Sequence, residues 1–167
     1  MNKSYPERKH PRLKNYDYSQ NGCYFVTICV KDKKPLLGSV SVGRDALIPP
    51  QTVLSLIGKV AEKYILNIEK TYKSVKVENY VIMPNHIHLL LLFDSTLCDD
   101  GGMRASRPTL FTVIRSFKTM VTREIGYSVW QDSFYDRVVN SVEGYEEVWE
   151  YIEENPFKWI IGKGDDY

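Results

Sequence analysis

Apolar residues fall along this chain in two rhythms, one suited to strands and one to helices. Tyr24-Phe25-Val26-Thr27-Ile28-Cys29-Val30 is dense in β-branched and aromatic side chains and predicts a strand. Residues 31–50 read as a connecting loop with room for a short strand around Val40 and Val42. From Gln51 to Thr71 the spacing turns helical, with Val53, Ile57, Val60, Tyr64 and Ile68 recurring behind a Pro49-Pro50 start. Val75 to Met83 predicts a second strand and His86 to Phe93 a third. The Pro84-Asn85 step between them predicts a tight antiparallel hairpin. Residues 94–108, with Asp99-Asp100-Gly101-Gly102 and Pro108, read as a loop. Thr109 suits the N-cap of a second helix that buries Leu110, Val113, Ile114, Phe117, Val121 and Ile125. Arg115, Lys118 and Thr122 share its opposite face. Trp130 to Val139 predicts a fourth strand. Ser141 caps a third helix whose acidic first turn suits the helix dipole, and Pro156 is expected to end it.

Over its first six elements this order follows the split β-α-β of ferredoxin-like folds. The expectation is an α+β domain, an RRM-like antiparallel sheet with helices packed on it. Many activities share that arrangement, so it says little about function.

The chain has 167 residues, enough for one domain with a core that needs no disulfides. Residues 1–20 are polar and basic and read as an arm; residues 21–167 read as the single domain. No apolar run is long enough to suggest a membrane span, and Met1-Asn2-Lys3-Ser4-Tyr5-Pro6 lacks a signal-peptide core. A cytoplasmic protein is expected. Cys23, Cys29 and Cys98 are odd in number and lack metal-type spacing, which fits reduced thiols. The formal net charge of +1 argues weakly against nucleic acid binding. Its distribution matters more. Arg8, Lys9, Arg12 and Lys14 crowd the arm, interleaved with Tyr5, Tyr16 and Tyr18, while Glu143, Glu146, Glu147, Glu150, Glu153 and Glu154 crowd the last helix. Only one face of a protein has to meet phosphate, so both can coexist in a DNA enzyme. Arg115 and Lys118 are further candidates for holding phosphates.

His86 and His88 stand two apart on a predicted strand, so their rings share one face. Two imidazoles on one face make half of a metal site, and a strongly apolar strand would not bury both without partners. A third ligand must come from Asp, Glu, Asn or Gln brought close by folding. Tyr151 and Asn155 are four apart on the last helix and share a face. If that face covers the histidines, a phenol and an amide oxygen both reach the metal region.

Met83-Pro84-Asn85-His86-Ile87-His88-Leu89-Leu90 resembles the signature of the HUH nucleases, in which a bulky hydrophobic residue separates two histidines on one strand. Over nearly its whole length the chain resembles the one-tyrosine transposases, especially the REP-associated tyrosine transposases. The resemblance includes Arg12-Leu13-Lys14-Asn15-Tyr16-Asp17-Tyr18 with Gly22-Cys23-Tyr24-Phe25-Val26-Thr27 and Phe117-Lys118. It continues through Trp130-Gln131, Tyr135-Asp136-Arg137-Val138-Val139, Tyr151-Ile152 and Asn155-Pro156. It implies an HUH nuclease fold that cleaves and rejoins single-stranded DNA at hairpin-flanked repeats. It implies Mg²⁺ or Mn²⁺ held by His86, His88 and a polar residue of the tyrosine helix. That residue maps to Asn155, with Glu154 as rival. The nucleophile maps to Tyr151, giving a 5′-phosphotyrosine link. Relatives of this kind work as monomers or as homodimers that exchange tyrosine helices. Two other readings remain: a hairpin-binding protein without catalysis, and a metal-dependent hydrolase that uses water.

Overall fold

The computed structural model describes residues 16–42, 49–97 and 107–162. The main sheet has four strands, β1 (Gly22–Cys29), β4 (Val75–Ile82), β5 (His86–Phe93) and β6 (Tyr135–Val139), in the order β4-β5-β1-β6. All its pairings are antiparallel. With α1 (Leu56–Leu66) and the short α2 (Ile68–Thr71) between β1 and β4 and α3 (Leu110–Ile125) between β5 and β6, this is the expected ferredoxin-like arrangement. β4 and β5 form the predicted hairpin, closed by the Met83 N–H donating to the His86 carbonyl at 2.8 Å.

Side-chain alternation gives the sheet two different faces. Tyr24, Val26, Ile28, Ile87, Leu89, Leu91 and Phe93 point to one side, where α1 and α3 complete the larger core with Ala61, Ile65, Val113, Ile114, Phe117 and Val121. Phe25 and Leu90 point to the other side, where α4 (Val142–Ile160) packs Val148 and Ile152 against them. His86 and His88 follow the parity of Leu90 and therefore face α4.

Four expectations are corrected. Gln51–Leu54 is not helical but a strand, β3, paired with β2 (Gly38–Ser41). Ser55 explains the boundary: its Oγ accepts from the Gly58 N–H at 3.1 Å and caps α1, leaving Thr52-Val53 extended. Gly58 is required there, because a Cβ would collide with the Leu37 carbonyl. The predicted fourth strand starts only at Tyr135, with Trp130 making a single bridge to Val30. Between them the Gln131 and Ser133 carbonyls accept from Lys118 Nζ, at 2.8 Å each, in place of a ladder partner. Pro156 does not end the last helix, which runs on to Ile160. An interior proline costs a helix about 3 kcal/mol; burial of Val148 and Ile152, each worth about 1.5–3 kcal/mol, offsets this. Finally, Tyr16 and Tyr18 are not part of a free arm. Their rings stand 5.0 Å apart and pack on Tyr24, at 6.4 and 6.0 Å, and the Tyr18 carbonyl accepts from the Leu110 N–H. Arg8, Lys9, Arg12 and Lys14 lie outside the described residues. No helix among the described residues is long and apolar enough to cross a membrane.

Candidate metal and nucleophile site

β5 is a central strand, and its two histidines lie in the middle of the α4 face, opposite Cys29 and Thr27 of β1. His88 is fully buried and His86 is 5% exposed. Their ring centroids are 4.6 Å apart. Each ring is oriented through Nδ1. His86 Nδ1 lies 2.6 Å from Asn85 Oδ1, and His88 Nδ1 lies 2.9 Å from Thr27 Oγ1. An amide oxygen can only accept, so neutral His86 carries its proton on Nδ1 and its lone pair on Nε2. Burial, reinforced by the neighbouring His86, holds the His88 pKa well below the ordinary histidine value. Neutral imidazole presenting Nε2 is the form that binds a metal.

α4 supplies the other half. Ser141 caps it, its Oγ accepting from the Gly144 N–H at 3.0 Å. Tyr145 Oη donates to Glu78 of β4 at 2.9 Å, and Asn79 Nδ2 donates to Glu153 at 3.0 Å. These bonds tie the helix to the β4 edge. On its inner stripe the Tyr151 ring meets His88 edge-on at 5.2 Å, and the Trp159 ring lies 6.3 Å from His86. Asn155 is one turn from each, between two residues that touch the histidine pair. Its side chain is fully buried, and neither Oδ1 nor Nδ2 has a hydrogen-bond partner among the described residues. A buried amide left this way is costly unless it serves a ligand. Glu154, the rival third ligand, is exposed and pairs with Lys158 at 3.0 Å. Among the described residues no three His, Cys, Asp or Glu side chains converge on a metal position. Asn155 is the buried amide on the α4 stripe that meets the histidines, and an amide oxygen suits a hard cation.

The structure thus brings Tyr151 to the His86–His88 pair and places Asn155 one turn further along the same buried stripe of α4. It does not bring Arg115 and Lys118 to them, because α3 lies across the sheet. Arg115 is exposed there. Lys118 is half-buried, and burial pushes its pKa down to about 8. Three residues near the site were missed from sequence: Thr27, Asn85 and Lys158. Thr27 is the one aliphatic hydroxyl in an apolar run, and Asn85 directly precedes His86. Lys158 Nζ stands 4.7 Å from the centre of the Tyr151 ring, and its i+7 spacing from Tyr151 could have revealed it.

The fold is shared with a solved tyrosine transposase. A solved REP-associated tyrosine transposase bound to a REP hairpin matches with a TM-score of 0.61 at 17% identity, over 89% of this chain and 74% of that one. An uncharacterized protein of Haemophilus influenzae is 31% identical over 172 residues, covering 91% of this chain and 89% of its own. The chain belongs to the same family as that Haemophilus protein. No family model matches the chain.

Proposed function

We propose that this protein is a metal-dependent, cytoplasmic tyrosine transposase that cleaves and rejoins single-stranded DNA at hairpin-flanked repeats. The observation that carries this reading is the packing of Tyr151 on His88 of the oriented pair His86 and His88, with the buried Asn155 one helical turn away. The shared fold of a transposase described as bound to a REP hairpin supports hairpin DNA as the partner. His86 Nε2, His88 Nε2 and Asn155 Oδ1 would hold Mg²⁺ or Mn²⁺. When bound, the ion withdraws charge from the scissile phosphate. Tyr151 Oη attacks phosphorus, the P–O3′ bond breaks, the phenolic proton passes to solvent, and the departing 3′ oxygen takes a proton from solvent to become a hydroxyl. The product is a 5′-phosphotyrosine ester that still holds the energy of the phosphodiester. An incoming 3′-hydroxyl reverses the step and restores the phenol. In this reading Tyr151 acts in cis, on a phosphate held beside the histidines of its own chain.

The test uses end-labelled single-stranded hairpin DNA with Mn²⁺ on a denaturing gel. The wild type should give a protein-linked band. Tyr151→Phe removes only the oxygen, so it should bind the DNA and give no such band. An undiminished band in the Phe variant would refute Tyr151 as nucleophile. A cleaved but unlinked product from the wild type would favour water as the attacking group.

A further inference from the structure

α4 is an acidic helix that would have to approach phosphate. It carries Glu143, Glu146, Glu147, Glu150, Glu153 and Glu154, and a single cation, Lys158. That cation stands beside the phenol on which the proposed chemistry depends. Lys158 Nζ lies 4.7 Å from the centre of the Tyr151 ring and 3.0 Å from Glu154 Oε2. Other cations with contacts in the structure are committed elsewhere: Lys63 to Glu124, Lys76 to Glu78, Arg137 to Glu147, and Lys118 to two carbonyls across the sheet.

We propose that Lys158 is a phosphate-binding residue of the site: its ammonium contacts the backbone of the single strand beside Tyr151, and Glu154 holds it there in the free protein. This rests on the transposase reading above. Three features favour it over a lysine that merely steadies the helix end. The side chain is 31% exposed and lies along the tyrosine ring instead of extending into water. An exposed Glu–Lys pair spaced i, i+4 adds little to the stability of a helix, so stability alone gives little reason for this placement. An ammonium on a flexible stem can also exchange a carboxylate for a phosphodiester with small movement. Such a contact balances part of the charge that develops on the phosphate as Tyr151 attacks.

The experiment compares wild type, Lys158→Met and Lys158→Arg on a single-stranded hairpin oligonucleotide. Affinity is measured across a salt series, and the rate of covalent adduct formation is measured with Mn²⁺. Lys158→Met should lower the magnitude of the salt slope by roughly 0.7, the share of one phosphate contact on a single strand. It should also slow adduct formation about a hundredfold. Lys158→Arg should keep the slope and recover part of the rate. An unchanged slope in Lys158→Met overturns the proposal, and a slowed adduct with that unchanged slope assigns Lys158 to holding the helix. A lowered slope in a wild-type background that forms no adduct keeps the phosphate contact and overturns the transposase reading instead.

Discussion

Thr27 Oγ1 and His88 Nδ1 meet at 2.9 Å across the β1–β5 ladder, inside the sheet and out of reach of water. The bond fixes the plane of the ring and, with His88 donating from Nδ1, directs the Nε2 lone pair into the site. Thr27→Val keeps the shape of the side chain and removes the acceptor. The protein should fold, and Mn²⁺ affinity should fall about 10–100-fold, as seen when the partner of a metal-bound histidine is lost. Titration calorimetry gives the number. Equal affinity in the variant would mean that packing against Phe25, whose ring stacks on His88 at 5.1 Å, orients the imidazole without help from Thr27.

Asn155 sets stability against binding. Its amide is fully buried and has no hydrogen-bond partner among the described residues, a state that costs about 1–3 kcal/mol. Asn155→Leu replaces the amide with an apolar group of similar size. The metal-free variant should therefore melt at a higher temperature than the wild type. The wild type should gain stability on adding Mn²⁺ and the variant should gain less, since ligand binding to the native state adds stability by mass action. Paired melting curves with and without Mn²⁺ check both halves. A variant that melts lower without metal would mean that the amide is satisfied in solution by something other than a metal.

Much of this site was legible in the chain because its chemistry follows local periodicity. The i, i+2 spacing puts His86 and His88 on one side of any strand, and i, i+4 aligns Tyr151 with Asn155 on any helix. The conditional step was whether the helix face covers the histidine face. That depends on Tyr145 with Glu78 and on Glu153 with Asn79, contacts between residues more than sixty apart in sequence. Thr27 becomes visible only through the β1–β5 register. The misread at Gln51–Leu54 has a local cause. Val53 and Ile57 fit a helical stripe, yet Val53 is 57% exposed on a strand that ends before the Ser55 cap. Lys118 reads from sequence as a candidate for holding phosphate because the segment that folds over it, Gln131 to Ser133, carries no strong pattern.

Lys118 leads to a pH prediction. Its ordinary pKa is 10.5, and burial lowers it to about 8 in the folded protein. Between these values the unfolded chain binds more protons than the folded one, so stability rises as pH climbs from about 8 towards 10.5. Below about 8 both states are protonated and the group contributes no slope. Lys118→Met should lack this rise. Denaturant midpoints across that range for the two proteins provide the comparison. Parallel curves would show that the carbonyls of Gln131 and Ser133 hold the ammonium charged. The same variant should leave hairpin DNA affinity unchanged, since its Nζ is occupied on the far side of the sheet.

The last prediction separates the arm from the domain. Tyr16 and Tyr18 pack on Tyr24 and meet α3 through the Leu110 N–H, so they are part of the folded unit. Arg8, Lys9, Arg12 and Lys14 precede them. Removing residues 1–14 should leave the melting temperature unchanged. It should weaken binding to hairpin DNA and flatten its salt dependence, because fewer counterions are released when the arm's cations are gone. Removing residues 1–18 should give the same binding defect and also destabilise the protein by about 1–3 kcal/mol. That figure reflects the loss of two half-buried aromatic rings. Salt-series binding and thermal melts on both truncations are the measurements. If the shorter truncation binds with full affinity and slope, DNA recognition lies with Lys158 and the loops around the site. If the longer one melts like the full chain, Tyr24 needs no cover from the two tyrosines.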